Sequence, residues 1–479
     1  MSTLHVVVPT SRLLFAMSRS DVTPPVGHYH RVWGAARHER STGVHWPLLA
    51  DILAFAPIGQ SDSPLLRIQL DLVGLNPPQH EPLRKAIAAA TNLSLERVII
   101  TYSHTHASGR FEPDRFSLPG GELLPAYLEQ LQAALIEASR RALTNLSEAT
   151  ITYGVGSCRM AGNRNYWDEA GQRYVCGFNP DSPADDTVTV ARITNSAGQT
   201  MGTIVHYACH PTTLAWENTL TSPDFVGAAR ELVERQTGVP CIYLQGPSGD
   251  LGPKDGYTGD TQVADRNGRQ LGYAALSVLE SLGPPQTDFA YQGAVISGAT
   301  LGIWGHVPFG PERRTQSAQF MGGEFRVDLP LKPRPSRAEL EKQLEYWNAL
   351  QREADMRGDT LAARDAGARA ERARRWLGYM GDMPESDTYP LHFSVYRLGD
   401  AYWVTCGGEP FSLLQTELRR RFPNHIVLVS PMASDYTVAY LMPAGCYGIG
   451  LYQEEPSSLG KGCLEILIEA IAEQMKRLS

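Results

Sequence analysis

The sequence predicts a mixed α/β fold in which β-sheets are flanked by helices. Twice along the chain a strand-like apolar segment is followed by a helical segment and a second strand, which is the order of a parallel α/β unit. Polar residues follow the ends of these strands, where open α/β sheets bind ligands. The chain has 479 residues, of which 42% are apolar and 20% charged, so a large core is possible and a disordered or fibrous protein is excluded.

The first unit lies near the N-terminal end of the chain. Residues 64–75 alternate or run apolar like a strand, residues 80–92 have the pattern of a helix, and residues 95–102 form a second strand that stops at a histidine-rich turn. We therefore expect two parallel strands joined by a helix.

The second unit repeats this order. A strand at 200–208 leads into Cys209-His210-Pro211, a helix follows at 224–237, and a strand at 239–245 ends in the turn 246–250. Polar residues thus gather at the carboxyl ends of strands in both units.

Residues 336–377 are rich in Ala, Arg, Glu and Leu at helical spacing, with a break at Gly358-Asp359. This pattern predicts a helical hairpin inserted between sheet segments. We interpret it as a solvated structural insert without a chemical role. Strands near 390–406 and 425–430 and a closing helix at 461–477 follow.

The composition argues against several partners and locations. The formal net charge is −8 and Lys and Arg form no cluster, so nucleic acid and an anionic membrane surface are not expected partners. No apolar run reaches the roughly 18 residues that span a membrane, and the N-terminus lacks the features of a signal peptide. The seven cysteines show no CxxC spacing. We expect free thiols, no membrane insertion and a cytoplasmic location.

The strongest local signal is a pair of histidines, His104 and His106, directly after an apolar strand. Residues i and i+2 of extended backbone project to the same side, so both rings can face one metal. Zinc prefers imidazole nitrogen and carboxylate oxygen. A hydrogen-bonded structural pair is the alternative interpretation.

Further metal-type side chains stand at similar places. His210 ends another strand and is followed by Pro211, which fixes the exit of the chain. Glu409 follows Gly407 and Gly408, which allow close approach of the backbone. Taken alone, His210 is equally compatible with a core or capping histidine and Glu409 with a turn residue.

A tyrosine-rich stretch, residues 435–452, completes the set, although packing is the ordinary role of such rings. Because the residues with metal-type side chains extend from position 104 to position 440, we expect residues 1–479 to form a single catalytic domain containing the insert 336–377.

Taken together, these motifs resemble the neutral/alkaline (non-lysosomal) ceramidase family and its bacterial relatives over almost the full length of the chain. The matching motifs occur in the family's order: DVTPPVG at 21–27, SHTHASG at 103–109, GNR at 162–164, YACHPT at 207–212, SPD at 222–224, LQGPSGDLGP at 244–253, GGEPF at 407–411 and YLMPAGCYGIGLYQ at 440–453.

The resemblance implies one zinc ion per chain, bound by His104, His210, Glu409 and a tyrosine of the downstream cluster. We favour Tyr440 over Tyr436, because Tyr447 and Tyr452 follow Tyr440 at family-like spacing. Ligands of these types would also accept Mn or Fe.

The resemblance also implies other roles. His106 would hydrogen bond or transfer protons beside the metal, and would supply the acid for the leaving amine; Arg164 would bind a carbonyl or a developing oxyanion. We assign Tyr436, Tyr452 and Gly252 to substrate binding.

One departure from the family pattern bears on the mechanism. Relatives carry a catalytic serine in a GDxSP-like turn, whereas this chain reads GDLGP at 249–253, with Gly252 at the serine position. Water is then the expected nucleophile. The chain also ends soon after its last helix, so we expect no C-terminal β-sandwich domain.

The sequence therefore predicts a zinc-dependent hydrolase that cleaves an amide (N-acyl) bond of a small-molecule substrate, and a polar N-acyl compound fits as well as ceramide. Two alternatives remain open: a metal-dependent esterase, lactonase or other metal-assisted enzyme, and a non-catalytic metal-binding relative. The sequence does not specify an oligomeric state.

Overall fold

The computed structural model describes residues 5–60, 64–380, 383–433 and 438–479. In these ranges the strands, in chain order, are β1 (His5–Val6), β2 (Thr10–Asp21), β3 (Gly43–Val44), β4 (Leu49–Ala56), β5 (Leu65–Leu70), β6 (Val98–Tyr102), β7 (Ser147–Ser157), β8 (Ala161–Asn163), β9 (Asn165–Asp168), β10 (Arg173–Cys176), β11 (Thr187–Asn195), β12 (Thr200–Tyr207), β13 (Leu220–Thr221), β14 (Cys241–Gln245), β15 (Leu251–Pro253), β16 (Thr287–Ser297), β17 (Ala299–Pro308), β18 (Phe320–Pro330), β19 (Thr388–Leu398), β20 (Ala401–Cys406), β21 (Glu409–Pro410), β22 (Ile426–Ser430) and β23 (Tyr440–Leu441).

The α-helices are α1 (Pro77–Thr91), α2 (Leu124–Thr144), α3 (Phe225–Thr237), α4 (Thr261–Ser281), α5 (Pro311–Ser317), α6 (Arg337–Met356), α7 (Thr360–Met380), α8 (Leu413–Arg421) and α9 (Cys463–Arg477). Short 3-10 helices lie at Leu95–Arg97, Pro113–Arg115, Gly121–Leu123, Ala444–Cys446 and Tyr452–Glu454. Among the described residues, no helix has both the length and the apolar character needed to cross a bilayer.

The largest sheet has eight strands in the order β14-β12-β11-β7-β2-β4-β5-β6. Its two ends are parallel pairs, β5 with β6 and β12 with β14, and these pairs are joined by α1 and α3 as the sequence predicted. The strands between them pair antiparallel. The mixed α/β class is therefore confirmed, with the parallel units confined to the ends of the sheet.

A second sheet, ordered β18-β19-β20-β22, stacks on the large one. Along β4, Ile52 and Ala54 belong to the core cluster that contains α1 and α2, whereas Leu53 and Phe55 face the second sheet. The Phe55 ring lies 5.2 Å from the Trp403 ring of β20. Alternating side chains of one strand thus fill two cores, which explains why β4 is almost continuously apolar.

Helices cover both outer faces of the stacked sheets. Helices α1 and α2 pack beside β4 to β6, and α3 and α4 pack beside β12 and β14. On the far side, α8 and α9 pack on the second sheet. The layers therefore run helix, sheet, sheet, helix, and the loops at the strand ends are left to form a site.

Residues 336–377, predicted as a helical hairpin, form α6 and α7. The Ser336 hydroxyl and the Glu339 side chain make a reciprocal capping box that begins α6. Gly358 lies in the turn between the helices with a left-handed φ of 69°. The interpretation as a solvated insert is wrong, because one face of α7 packs against the body of the protein; Glu371 and Trp376 of that face are buried.

An ion pair fastens α7 to the body. Arg115 Nη2 donates to Glu371 Oε1 at 2.9 Å and Arg115 Nη1 donates to Glu371 Oε2 at 3.1 Å, with the two side chains 2% and 4% exposed. Such a buried pair stabilises only while both partners are present, because either charge left alone is poorly solvated.

We expect Glu371→Gln to lower the free energy of unfolding by about 3 kcal/mol, measured by urea denaturation, because it leaves Arg115 buried without its main counter-ion. Glu353→Gln on α6 is the control, since Glu353 is 55% exposed in its pair with Arg357. Equal midpoints for the two variants would contradict this account of how α7 is attached.

Candidate metal centre

Three histidines meet above the ends of two strands. His104 and His106 follow β6, and His210 follows β12; one ring nitrogen from each lies within 4.8 Å of the others. Five strands separate β6 from β12 in the sheet, so the loops after them reach towards each other. The His106 amide donates to the Pro211 carbonyl at 3.4 Å and thereby joins the two loops.

His104 and His106 face the same point, but not for the reason that the sequence pattern suggested. His104 has a left-handed φ of 65°, so the pair does not continue β6 as an extended strand. Even so, His106 Nε2 lies 3.3 Å from His104 Nε2. The turn at His104, and not strand periodicity, brings the two rings together.

Backbone carbonyls orient two of the rings. His104 Nδ1 donates to the Val73 carbonyl at 2.5 Å, and His210 Nδ1 donates to the Ser248 carbonyl at 3.2 Å. A carbonyl oxygen only accepts hydrogen bonds, so in each neutral ring the proton is on Nδ1 and the lone pair is on Nε2. This is the second-shell arrangement that prepares histidine for a metal.

The carboxylate of Glu409 joins the same point. Glu409 Oε2 lies 3.3 Å from His104 Nε2 and 3.5 Å from His210 Nε2. Neither Glu409 Oε2 nor His210 Nε2 has a hydrogen-bond partner among the described residues, and both atoms are buried. Lone pairs that converge without a donor are unfavourable unless a cation lies between them. The residues present therefore fit a divalent metal ion.

Electrostatics favour the ligand forms of these groups. Burial lowers the pKa of His106 and of His210 well below the usual value, and the nearby charges of His104 and Arg164 lower both further. Burial alone would raise the pKa of Glu409, but His104 and Arg164 outweigh it, so that pKa lies below its usual value. At neutral pH the centre thus offers the neutral imidazoles of His106 and His210 and the carboxylate of Glu409.

Tyr440 lies directly beside Glu409. The short strands β21 and β23 pair in parallel with Glu409 opposite Tyr440, and a hydrogen bond from Tyr440 helps to lower the pKa of Glu409. Burial first, and Glu409 second, raise the pKa of Tyr440 well above its usual value. Tyr436, the other candidate tyrosine, lies outside the described residues.

Arg164 is buried under this pair and does not line the cavity that the described residues form at the centre. Its Nε and Nη2 donate to the Gly249 carbonyl at 3.1 and 2.8 Å, and its Cζ lies 5.4 Å from the centroid of the Tyr440 ring. The structure thus brings Arg164 to the centre as a link between the 246–250 turn and Tyr440.

Gly252 lies in β15, next to Arg164. It is not among the described residues that line the cavity at the centre. A Cβ atom placed on Gly252 would lie 3.7 Å from Arg164 Cδ and 3.8 Å from Thr212 Oγ1, which is ordinary contact. Packing therefore does not require glycine at this position.

The cavity above the centre has a volume of about 330 Å³. His104, His106, Glu409 and Tyr440 line it, and α7 supplies many of the other lining residues. Tyr452 stands at the rim, 48% exposed, with its ring 6.0 Å from that of Tyr440.

Sequence reasoning missed the wall that α7 contributes. Its lining side chains include Arg369, Arg372, Arg375, Trp376 and Tyr379. The three arginines are spaced three residues apart, which places them on one helix face. That spacing was visible in the sequence, but it is equally typical of a solvated face.

Comparison with known proteins gives one family match. Residues 14–242 match the family described as "Neutral/alkaline non-lysosomal ceramidase, N-terminal". The matched region contains both strand-helix-strand units together with His104, His106 and His210. No protein among the curated sequences matches.

Two solved structures share the fold. The neutral ceramidase from Pseudomonas aeruginosa is 16% identical with a TM-score of 0.64, over 98% of this chain and 74% of that one. A structure described as "Ceramidase complexed with C2" is 15% identical with the same TM-score, over 98% of this chain and 76% of that one. The similarity therefore extends past the matched family region, to the strands that carry Glu409 and Tyr440.

We expect Gly249→Ala to lower the free energy of unfolding by about 1–3 kcal/mol, measured by urea denaturation. A Cβ at Gly249 would lie only 2.6 Å from the Glu409 carbonyl oxygen and 2.9 Å from the Phe411 ring. Gly252→Ala, in the same turn but with ordinary contacts, is the matched control and should change stability by less than about 0.5 kcal/mol. A larger loss of stability in Gly252→Ala than in Gly249→Ala would show that the 246–250 turn does not pack closely on Glu409.

Proposed function

We propose that this chain, whose residues 14–242 match the neutral/alkaline non-lysosomal ceramidase family, is a zinc-dependent hydrolase that cleaves the amide bond of an N-acyl compound. The observation that carries the proposal is the convergence of His104 Nε2, His210 Nε2 and Glu409 Oε2, two of which are buried without a hydrogen-bond partner among the described residues.

The residues that would hold the metal are His104, His210, Glu409 and Tyr440, a set of nitrogen and oxygen donors that suits zinc. When bound, zinc lowers the pKa of a coordinated water to about 7 and polarises the scissile carbonyl. The protein side chains supply the rest of the chemistry.

His106 is the candidate for proton transfer. Its Nε2 lies 3.3 Å from His104 Nε2, and burial keeps its pKa below the usual value, so it enters the reaction neutral. A neutral imidazole can accept the proton released by the attacking water at Nε2 and then donate it to the nitrogen of the leaving amine. Water and amide thereby become a carboxylic acid and an amine.

Arg164 acts as a positioning residue in this scheme and not as the group that binds the substrate carbonyl. Two of its donor atoms are engaged by the Gly249 carbonyl, and its guanidinium lies over the Tyr440 ring. It holds Tyr440 against Glu409, so that both oxygen donors keep one orientation. Tyr452 lies at the rim of the cavity and would contact the part of the substrate that extends towards solvent.

We expect about one zinc ion per chain in the purified protein, measured by elemental analysis, and at least about a tenfold lower zinc affinity in His104→Ala and in His210→Ala, because each variant removes a ligand. Hydrolysis of N-acyl amides should be lost in both. His392→Ala, in which an exposed histidine paired with Glu324 is removed, should keep both properties. Variants that keep metal and activity would exclude this site, and cleavage of matched esters alone would identify an esterase.

We expect Gly252→Ser to leave kcat within about threefold of the wild type, because water and not residue 252 supplies the nucleophile. A serine fits without a clash, since the nearest atoms to its Cβ are 3.7 Å away. The measurement is hydrolysis of one amide substrate together with mass spectrometry of the quenched protein. A marked gain in rate accompanied by an acylated protein would contradict a water nucleophile.

A further inference from the structure

We propose that the substrate carries a negatively charged group, a carboxylate or a phosphate, which binds the arginine-bearing wall of α7 while the amide bond lies at the metal centre. This inference rests on the proposed function, because it names the class of N-acyl compound that the same cavity accepts.

The cationic side chains that line the cavity come mainly from one helix. Arg369, Arg372 and Arg375 of α7 line it together, and Arg110 joins them from the loop that follows His106. The guanidinium group is planar and presents paired donors that match carboxylate and phosphate oxygens. These guanidinium groups can therefore bind an anion inside the cavity that the metal-type side chains also line.

Three of these arginines pair with carboxylates of the described chain: Arg110 with Glu112, Arg372 with Glu455 and Arg375 with Glu371. Glu371 is shared by three guanidinium groups: Arg115 at 2.9 and 3.1 Å, Arg375 Nε at 3.0 Å and Arg374 Nη1 at 3.2 Å. Both carboxylate oxygens of Glu371 therefore accept hydrogen bonds from arginines. Of these three arginines only Arg375 lines the cavity, so the shared Glu371 carboxylate neutralises it only in part.

Two of the arginines remain accessible to a ligand. Arg369 has its Cζ 4.5 Å from the centroid of the Trp347 ring and forms no ion pair with any carboxylate in the described part of the chain. Arg372 pairs with Glu455, but the two side chains are 43% and 47% exposed. An exposed pair of this kind is weak, so a ligand anion can replace Glu455 or share Arg372 with it.

The size of the cavity favours a short compound. A volume of about 330 Å³ lies at the lower end of the range of roughly 300–1,000 Å³ for small-molecule sites. A neutral, long-chain substrate would cover the arginine wall without offering an acceptor, and burying unpaired charge is costly. A compact N-acyl compound with an anionic end, such as an N-acylated amino acid, can place its amide bond at the metal centre and its anion at the arginines of α7.

The test compares substrates that differ only in charge: N-octanoylglycine with N-octanoylglycinamide, and N-octanoylethanolamine phosphate with N-octanoylethanolamine. We expect the wild type to have at least about tenfold higher kcat/KM for the charged member of at least one pair. The pair that shows the preference distinguishes carboxylate from phosphate. Added salt should raise KM for the charged substrate and leave that for the neutral one unchanged.

The double variant R369Q/R372Q should reduce the charged-to-neutral preference about tenfold, mainly through KM. R372K should retain most of it, because the charge remains. R364Q is the matched control: Arg364 is on the same helix but lines a different depression, beside Arg37 and Arg40. Its removal should leave the preference unchanged.

The outcomes separate this inference from the proposed function. Equal hydrolysis of charged and neutral substrates by the wild type, or an unchanged preference in R369Q/R372Q, would overturn the inference and leave the hydrolase in place. If no substrate is cleaved, the proposed function fails, and calorimetric binding of N-octanoylglycine and of N-octanoylethanolamine phosphate decides the inference. Tighter binding of either by the wild type than by R369Q/R372Q supports it, and equal or undetectable binding of both overturns it.

Discussion

Three lone pairs converge on one point beside the cavity, and the rest of the centre is arranged around them. The Val73 and Ser248 carbonyls hold the protons of His104 and His210 on the far side of each ring, so the near nitrogens can only accept. The carboxylate of Glu409 adds a charge of the same polarity as those lone pairs. Such an arrangement is costly without a cation and favourable with one, and for that reason we propose a metal site here.

Two residues of the centre have strained backbone conformations. His104 and Ala439, the residue before Tyr440, both have left-handed φ values, of 65° and 53°. Each such conformation costs on the order of 1–3 kcal/mol in a residue with a side chain. Close packing of the 246–250 turn on Glu409 stabilises these conformations, and so does the hydrogen bond from Arg164 to the Gly249 carbonyl. The geometry of the centre therefore depends on its surroundings as well as on its ligands.

The structural features that could be predicted from the sequence are those that depend on residues close together in the chain. The two parallel units were recognisable because each apolar strand ended in a polar motif, and the α6–α7 hairpin because its helical spacing was long and broken at Gly358. The antiparallel middle of the large sheet and the stacking of Trp403 on Phe55 were missed, because they depend on contacts between segments distant in sequence. The cavity wall was missed because the arginines around Arg372 have the pattern of any solvated helix face until the partner surface is known.

The most direct test of the account is anomalous X-ray diffraction at the zinc absorption edge from crystals of the zinc-loaded protein. We expect one strong peak per chain, about 2.0–2.2 Å from His104 Nε2, His210 Nε2 and a carboxylate oxygen of Glu409. A zinc-loaded crystal with no peak among these atoms, or with His104 and His210 turned away from Glu409, would contradict it.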